Sequence, residues 1–477
     1  MPALSYVLSR KGQLNLPGVT YASKTTAEEL LLKDAEEHHC YFRQSGFHNH
    51  VSHHILAAYD LGASAGHLRT IYADAVKNQR PKFVEEQDKT IKVDKENWKQ
   101  YLGNQNAYGS FVKFFSEAIA ELGVNGTFEK YVFGEEVNAI GVDMLNRIMA
   151  GAVHPMIAIG YGLEFGNETL VATGLSQAAI HNNLSNFHLD KSPPAKSVTL
   201  LELLDQIYTS EVLKPVPYNP DTFINARMKA VIANGGGEEI ERLCAGWHIS
   251  DTISDTELAQ KAEELVWAAT LLTFSTGKPG RTPRLDFFLM HLLNSSLFVQ
   301  PFCRVIEKRE NRAAFLRAYL PVMMLIMLMR GRPRIDAALL MSYNAVPRPP
   351  LAHPYAPPGA EALGDPANDA EYNPWPALLE GVRYHSDSHV LKAMRTLVFA
   401  AQHFGDTPPG GVVGAFRAGA KGEKVETHPG MGAVDGTIFV RAAGVMMDRL
   451  GWSGYGQQES SWDRSALGWD KAWETDD

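Results

Sequence analysis

Residues 47–59 read FHNHVSHHILAAY: four histidines, His48, His50, His53 and His54, within seven positions, running straight into an apolar helical pattern. Imidazole is the commonest protein ligand for iron, zinc and copper, and histidines four apart on a helix point the same way, so one turn can grip an ion from one side. With His54 at zero and about 100° per residue, Phe47, His50, Val51, Ala57, Ala58 and Leu61 fall within about 60° of it, and His53, Tyr59 and Asp60 fall outside. The spacing therefore points His54 inward with the apolar residues, flanks it with His50 one turn earlier and leaves His53 at a boundary. A buried neutral imidazole needs both ring nitrogens satisfied, by hydrogen bonds or by a metal and one hydrogen bond. Core histidines bonded to carbonyls are the plain alternative, and four so close together strain it.

The same helical spacing recurs outward from this stretch, over 26–37, 109–122, 137–149, 170–181, 197–209, 255–273, 286–299, 313–329, 390–403 and 438–450, with 50–61 among them. No convincing series of strands and no internal repeat interrupts it. The pattern predicts an all-α architecture, a single large multi-helix domain over 1–477, with Pro321 kinking or splitting the helix that contains it. The segment 345–376 holds nine prolines and cannot be helical for long, so it reads as a long Pro-rich connecting loop: a lid, a substrate-binding loop or a plain tether. Residues 78–96 and 404–432, polar or glycine-rich, read as loops as well.

At 477 residues, 45% hydrophobic, the chain can bury a substantial core. A net charge of −9 gives no electrostatic footprint for nucleic acid or for an anionic membrane surface. Cys40, Cys244 and Cys303 are far apart and odd in number, against a disulfide framework or a CxxC metal element. The first residues lack the apolar core of a signal peptide, and the apolar run 320–329 is too short to cross a bilayer. A cytoplasmic protein is the expectation.

Three later histidines invite comparison with His54. His154, in AGAVHPMIAIGYGLEFG, precedes Pro155, which suits a first helical turn and sets a break just before it. His291, in DFFLMHLLNSSLFV, shares a helical face with Phe287, Phe288 and Phe298, among which an imidazole needs a partner. His389 starts a helix that Asp387 can cap, and Lys392 follows three residues later on an adjacent part of the face. A lysine facing inward must be paired, deprotonated or modified. Taken singly, each has a structural explanation: a capping partner, a satisfied core histidine, a salt-bridged or snorkelling lysine. The segment 160–166, GYGLEFG, has the wrong spacing for a dinucleotide loop and no strand leading into it, and the methionines at 323, 324, 327 and 329 read as core filler.

As a set, FHNHVSHHILAAYDLGA, HPMIAIGYGLEFG, DFFLMHLLNSS and DSHVLKAMRTL resemble the questin oxidase family of fungal polyketide pathways, in order, from about residue 40 to about residue 450. The resemblance implies a helical protein that opens a ring of an anthraquinone or related polycyclic aromatic, formally by Baeyer-Villiger-type oxidation. It also implies a non-haem Fe(II) centre held by four histidines and a carboxylated lysine. Carried over, His154, His291 and His389 match the separate histidine motifs and Lys392 the modified lysine. The fourth ligand comes from HNHVSHH, where His54 is favoured on its facing and His50 is the alternative. The implied partners are the aromatic substrate, dioxygen and a pathway reductase, with Phe287, Phe288 and Phe298 lining the pocket. The competing readings are a metal-free, NADPH-dependent Baeyer-Villiger monooxygenase, a zinc-type hydrolase using the same histidines, and a non-enzymatic helical scaffold.

Overall fold

A computed structural model describes residues 6–43, 46–182, 187–350 and 357–474. Its N-terminal third comprises α1 (Tyr21–Glu37), α2 (Val51–Asp60), α3 (Ala65–Ala75), α4 (Tyr108–Phe128) and α5 (Met144–Ile148), followed by α6 (Ala150–Phe165) and α7 (Glu168–Ile180). The middle holds α8 (Leu200–Thr209), α9 (Ile224–Ile232), α10 (Gly236–Ala245), α11 (Asp255–Phe274), α12 (Phe287–Ser296), α13 (Val299–Val305), α14 (Arg309–Met329) and α15 (Ala337–Ser342). The last third adds α16 (Trp375–Val382), α17 (Ser388–Phe404) and α18 (Ile438–Leu450), with a hairpin of β1 (Phe416–Ala418) against β2 (Lys424–Glu426). The fold is mostly helical, as the spacing predicts.

Local chemistry sets the starts of the longer helices. Thr199 with Glu202 and Ser254 with Glu257 form reciprocal capping boxes on α8 and α11, so two backbone donors are satisfied at each start. Asp286 caps α12 by accepting from Phe288 N and Leu289 N, and Asp387 caps α17 by accepting from His389 N. Both caps place a carboxylate immediately ahead of a candidate ligand helix.

Four helices close a ring that positions the site. α2 packs on α17, α17 on α12, α12 on α6, and α6 back on α2. The ring sits inside one continuous apolar core that runs from Tyr6 to Trp462. α14 is long and apolar enough to span a bilayer by length and composition, yet 89% of its apolar window is buried inside the fold, where it serves as a core helix.

Several expectations need correction. Pro321 does not split α14, which runs unbroken through it because its last three turns are buried on every side. The helices α3, α6, α9, α10, α13, α15 and α16 fall outside the expected ranges, of the expected helix 137–149 only Met144–Ile148 is α-helical, and 404–432 contains the hairpin. Of the Pro-rich connection, 357–374 holds only turns and irregular backbone and α16 begins at Trp375, while 351–356 lie outside the described residues, as do residues 1–5 of the N-terminus.

Candidate metal centre

Each helix of the ring brings at least one imidazole to its interior. His50 occupies the N-cap position of α2, with His53 and His54 in the first turn. His154 follows a left-handed turn, Gly151-Ala152-Val153, with φ of +56°, +53° and +61°. Alanine and especially valine are strained there, at roughly 1–3 kcal/mol each, and the strain turns the Gly151 carbonyl onto His154 Nδ1 at 2.6 Å. A side chain at Gly151 would also collide with the rings of His48 and His181. The break before Pro155 thus falls where the sequence sets it.

The rings converge. His50, His154 and His389 each bring one ring nitrogen to within 4.8 Å of the others, and His50 Nε2 lies 3.0 Å from His154 Nε2. The His291 ring is 4.8 Å from that of His154 and 5.1 Å from that of His389. His53 contacts both His50 and His154 and stacks on Tyr161 at 5.3 Å. A further pair, His48 and His181, with Nε2 atoms 2.8 Å apart, backs onto the group through His48 stacked on His154 at 3.8 Å.

The hydrogen bonds reveal which nitrogens remain. His154 Nδ1 meets the Gly151 carbonyl and His291 Nδ1 meets the Phe287 carbonyl at 2.8 Å; carbonyls only accept, so both Nδ1 atoms carry the hydrogen and both Nε2 atoms are bare in the neutral ring. His389 Nδ1 is held by Asp387 Oδ1 at 2.7 Å. Buried and without a hydrogen-bond partner among the described residues are His53 Nδ1, His291 Nε2, His389 Nε2 and Lys392 Nζ. Each such orphan costs about 1–3 kcal/mol. Converging ring nitrogens, with the opposite nitrogens of His154, His291 and His389 hydrogen-bonded to a carbonyl or carboxylate, are the donor set a cation satisfies. The residues present fit a metal ion.

Electrostatics agree with that reading. Burial, then the neighbouring cationic groups, holds His50, His53, His154 and His291 well below the usual imidazole range, and burial followed by Lys392 lowers His389. His50, His53, His154 and His291 are therefore neutral near pH 7, the form that can ligate. Burial brings Lys392 down to about 7 against the opposing pull of Asp387. Asp387 keeps its charge despite burial, because His389, by charge and hydrogen bonds, takes it well below the usual carboxylate range.

His54 is placed differently from its expected facing. It is buried with Nε2 unpartnered, but it lies among Asp387, Lys392, His67 and His385, while the rings touching His154 and His389 include His50. His53, expected at a boundary, is 2% exposed. Both departures have one cause: His50, with φ −110° and ψ 6°, stands outside the helical frame used for the wheel, and α2 is buried all round, so no face is a boundary. Phe287, half-buried, lies 4.9 Å from His291 and 5.1 Å from His389, and Phe288 lies 6.4 Å from His291. Phe298 is fully buried over Tyr161, in a seat that exists because Gly160 has no side chain.

Sequence reasoning missed the buried charges beneath the site. Arg395, one turn past Lys392, bonds Asp60 of α2 and Glu164 of α6. A signal was available: LKAMRTL sets Arg395 as well as Lys392, and GYGLEFG sets Glu164, inside otherwise apolar helical stretches.

The questin oxidase-like family model matches residues 47–397, a span that holds every imidazole of the ring and Lys392. The chain is 27% identical to the Baeyer-Villiger oxidase AgnL3 of Paecilomyces divaricatus, over 81% of this chain and 80% of that protein. It is 28% identical to the Baeyer-Villiger monooxygenase dmxR6 of a Cryptosporiopsis species, over 82% and 84%. With the questin oxidase of Aspergillus fumigatus it shares 25% identity over 88% and 87%.

Proposed function

The chain belongs to the questin oxidase-like family, a family of oxidoreductases, and from that membership and its donor set we propose that it is a non-haem iron-dependent oxygenase. Its reaction is oxidative C–C cleavage, a Baeyer-Villiger-type ring opening, of an anthraquinone or related polycyclic aromatic polyketide in fungal secondary metabolism. The observation that carries the reading is the convergence of buried imidazoles from four helices, with His50, His154 and His389 able to share one ion, beside the unpartnered Lys392 amine.

His50, His154, His291 and His389 would hold Fe(II), with His50 taking the position for which His54 was the other candidate. Lys392 adds the oxygen donor once carboxylated. An amine brought to about 7 is uncharged for about half of the time at neutrality, and the uncharged form is the one that reacts with carbon dioxide. When bound, iron supplies the one-electron chemistry that lets triplet dioxygen react with a closed-shell aromatic. α2, α6 and α17 also begin at the site, and the positive ends of their dipoles favour an anionic oxygen donor there.

The protein's own contribution is orientation and dryness. Gly151 O, Phe287 O and Asp387 fix three ring orientations and keep three Nε2 atoms aimed inward. Phe287 and Phe288 offer aromatic surface beside His291 and His389, against which a flat polycyclic substrate can lie. Asp387 Oδ1 is taken by His389, through both its backbone N and Nδ1, so this carboxylate orients the His389 ring. Residues 160–165 lie buried within α6 and Gly166 caps its end, so the segment offers no phosphate cradle for a nicotinamide cofactor. All three cysteines are free thiols, and a cytoplasmic setting fits this reading.

The test is anaerobic reconstitution with iron(II), followed by oxygen uptake with an anthraquinone and with its dihydro form. Uptake that requires iron and the reduced aromatic, disappears on chelation and returns with iron(II) supports the reading. Turnover that survives chelation and demands NADPH would replace it with the metal-free monooxygenase.

A further inference from the structure

Around Phe287 and Phe288, three guanidiniums meet two carboxylates. Arg330 pairs with Asp286, Nε to Oδ2 at 2.8 Å, both buried, and lies 4.8 Å over the Phe288 ring. Arg284 pairs with Asp463 at 2.6 Å. The third, Arg464, is exposed and makes no ion pair among the described residues; its guanidinium lies 4.1 Å over the Phe287 ring. That same ring contacts His291 and His389. An uncompensated cation thus stands at the solvent side of the aromatic wall whose inner side meets the imidazoles.

The position is built rather than accidental. Phe287 N donates to Asp463 O and Asp463 N to Leu285 O, each at 2.8 Å, forming a parallel bridge between the start of α12 and the C-terminal tail. Ser465 N and Oγ both bond Asp463 Oδ1, and Arg284 Nη1 donates to Ala472 O, so the backbone on either side of Arg464 is pinned. A guanidinium can lie flat on an aromatic face and still present paired donors to a carboxylate or phenolate, which an ammonium cannot do. Arg464 also lies beyond the span that the family model matches, so this cation comes from the tail that follows it.

We propose that Arg464 is a specificity-determining residue that binds an anionic oxygen, a carboxylate or an ionised phenol, on the aromatic substrate while the substrate's ring system lies along Phe287. The proposal rests on the ring-opening reading above and supplies the substrate's chemical class: an acidic polycyclic aromatic rather than a neutral one.

Binding to the full-length protein tests it, read by quenching of tryptophan fluorescence at pH 7. The two probes are rhein, a dihydroxyanthraquinone carboxylic acid, and dantron, the same ring system without the carboxyl group. The expected result is that wild-type protein holds rhein about tenfold tighter than dantron, the usual scale for a charge-assisted hydrogen bond. Arg464→Gln should erase that preference while changing dantron affinity by less than about twofold, and Arg464→Lys should keep part of it. An unchanged preference in Arg464→Gln, an equal loss for both probes, or equal wild-type affinities would overturn the role of Arg464 and leave the ring-opening reading standing. If neither probe binds wild-type protein, the substrate class of that reading falls and Arg464's role falls with it.

Discussion

Arg395 donates to a single oxygen of Asp60 twice, from Nε at 3.0 Å and from Nη2 at 2.7 Å, and neither side chain is exposed at all. The same Nη2 reaches Glu164 at 2.5 Å. Asp60 ends α2, Glu164 lies in the last turn of α6 and Arg395 lies one turn after Lys392 in α17, so one guanidinium ties three of the four helices that present imidazoles. Asp60 also accepts from Leu14 N and Asn15 N, and Glu164 from Gln13 N, which stitches the N-terminal segment to the same knot.

Removing the cation should therefore loosen the metal site from beneath. Arg395→Leu leaves two buried carboxylates without their cation, and breaking a buried pair by deleting one partner costs about 3–5 kcal/mol. Urea unfolding should register that loss, and iron content should fall with it. Glu164→Gln should be tolerated within about 1 kcal/mol, because burial, opposed by Arg395, already lifts Glu164 to about 7 and the amide retains an acceptor for Gln13 N. A loss below about 1 kcal/mol in Arg395→Leu would show that the knot is not what holds the helices together.

A second prediction separates capping from ligand tuning at Asp387. Its carboxylate caps α17 and holds His389 Nδ1. Asparagine caps a helix nearly as well as aspartate, so Asp387→Asn should leave apoprotein stability within about 0.5 kcal/mol. Without the negative charge the imidazole is a poorer donor, and metal affinity should drop about 10- to 100-fold. Competition against a chelator of known affinity measures the second quantity. An Asn variant that binds iron like wild type would restrict Asp387 to the cap.

The long amphipathic helices and the isolated histidines of α6, α12 and α17 were legible because each sits in a stretch whose period or punctuation is strong: Pro155 after His154, Asp387 before His389. The choice between His50 and His54 was not legible. A helical wheel assumes that the residue already lies on the helix, and His50 is the cap, with its own backbone angles. His53 was misread for a related reason, since a helix buried on all sides has no polar face for the wheel to find. Arg395, Asp60 and Glu164 come from three distant segments, and nothing local in any one of them names its partners. The tail around Arg464 has no periodicity; its place is set by a two-bond backbone bridge that leaves no mark in the sequence.

A third prediction concerns the buried amine. Lys392 is brought by burial from 10.5 to about 7, so between those values the unfolded chain holds a proton that the folded one releases. Stability must then rise with pH across that window. Between pH 7 and pH 9 the lysine alone should add roughly 2 kcal/mol to unfolding of the metal-free protein, at about 1.4 kcal/mol per unit. Lys392→Met, of similar length and without the charge, should remove that increment, raise stability at pH 7 and abolish iron binding. Paired urea titrations at the two pH values decide it; an increment that persists in the methionine variant would trace the slope to other groups.

Acid should dismantle the site by the opposite arm of the same linkage. Burial holds His54, His181 and His428 at about 4, and His50, His53, His154 and His291 well below their usual range. The unfolded chain takes up these protons near pH 6.5, whereas the folded chain refuses them until about 4 at His54, His181 and His428, so stability present above 6.5 is lost as pH falls through that interval. Glu164 runs the other way: raised to about 7, it keeps a proton in the fold that the unfolded chain gives up above 4.5, and its share grows on acidification. Several imidazoles outweigh one carboxyl. At up to about 1.4 kcal/mol per pH unit each, His54, His181 and His428 alone remove about 10 kcal/mol between pH 6.5 and pH 4, on the scale of the usual 5–15 kcal/mol of a folded protein. The metal-free protein should therefore unfold between pH 6.5 and pH 4 at 25 °C, followed by circular dichroism, with the Glu164→Gln variant showing the steeper decline. A fold that holds its full stability down to pH 4 would mean that these imidazoles accept protons in place, and could not form a neutral ligand cluster.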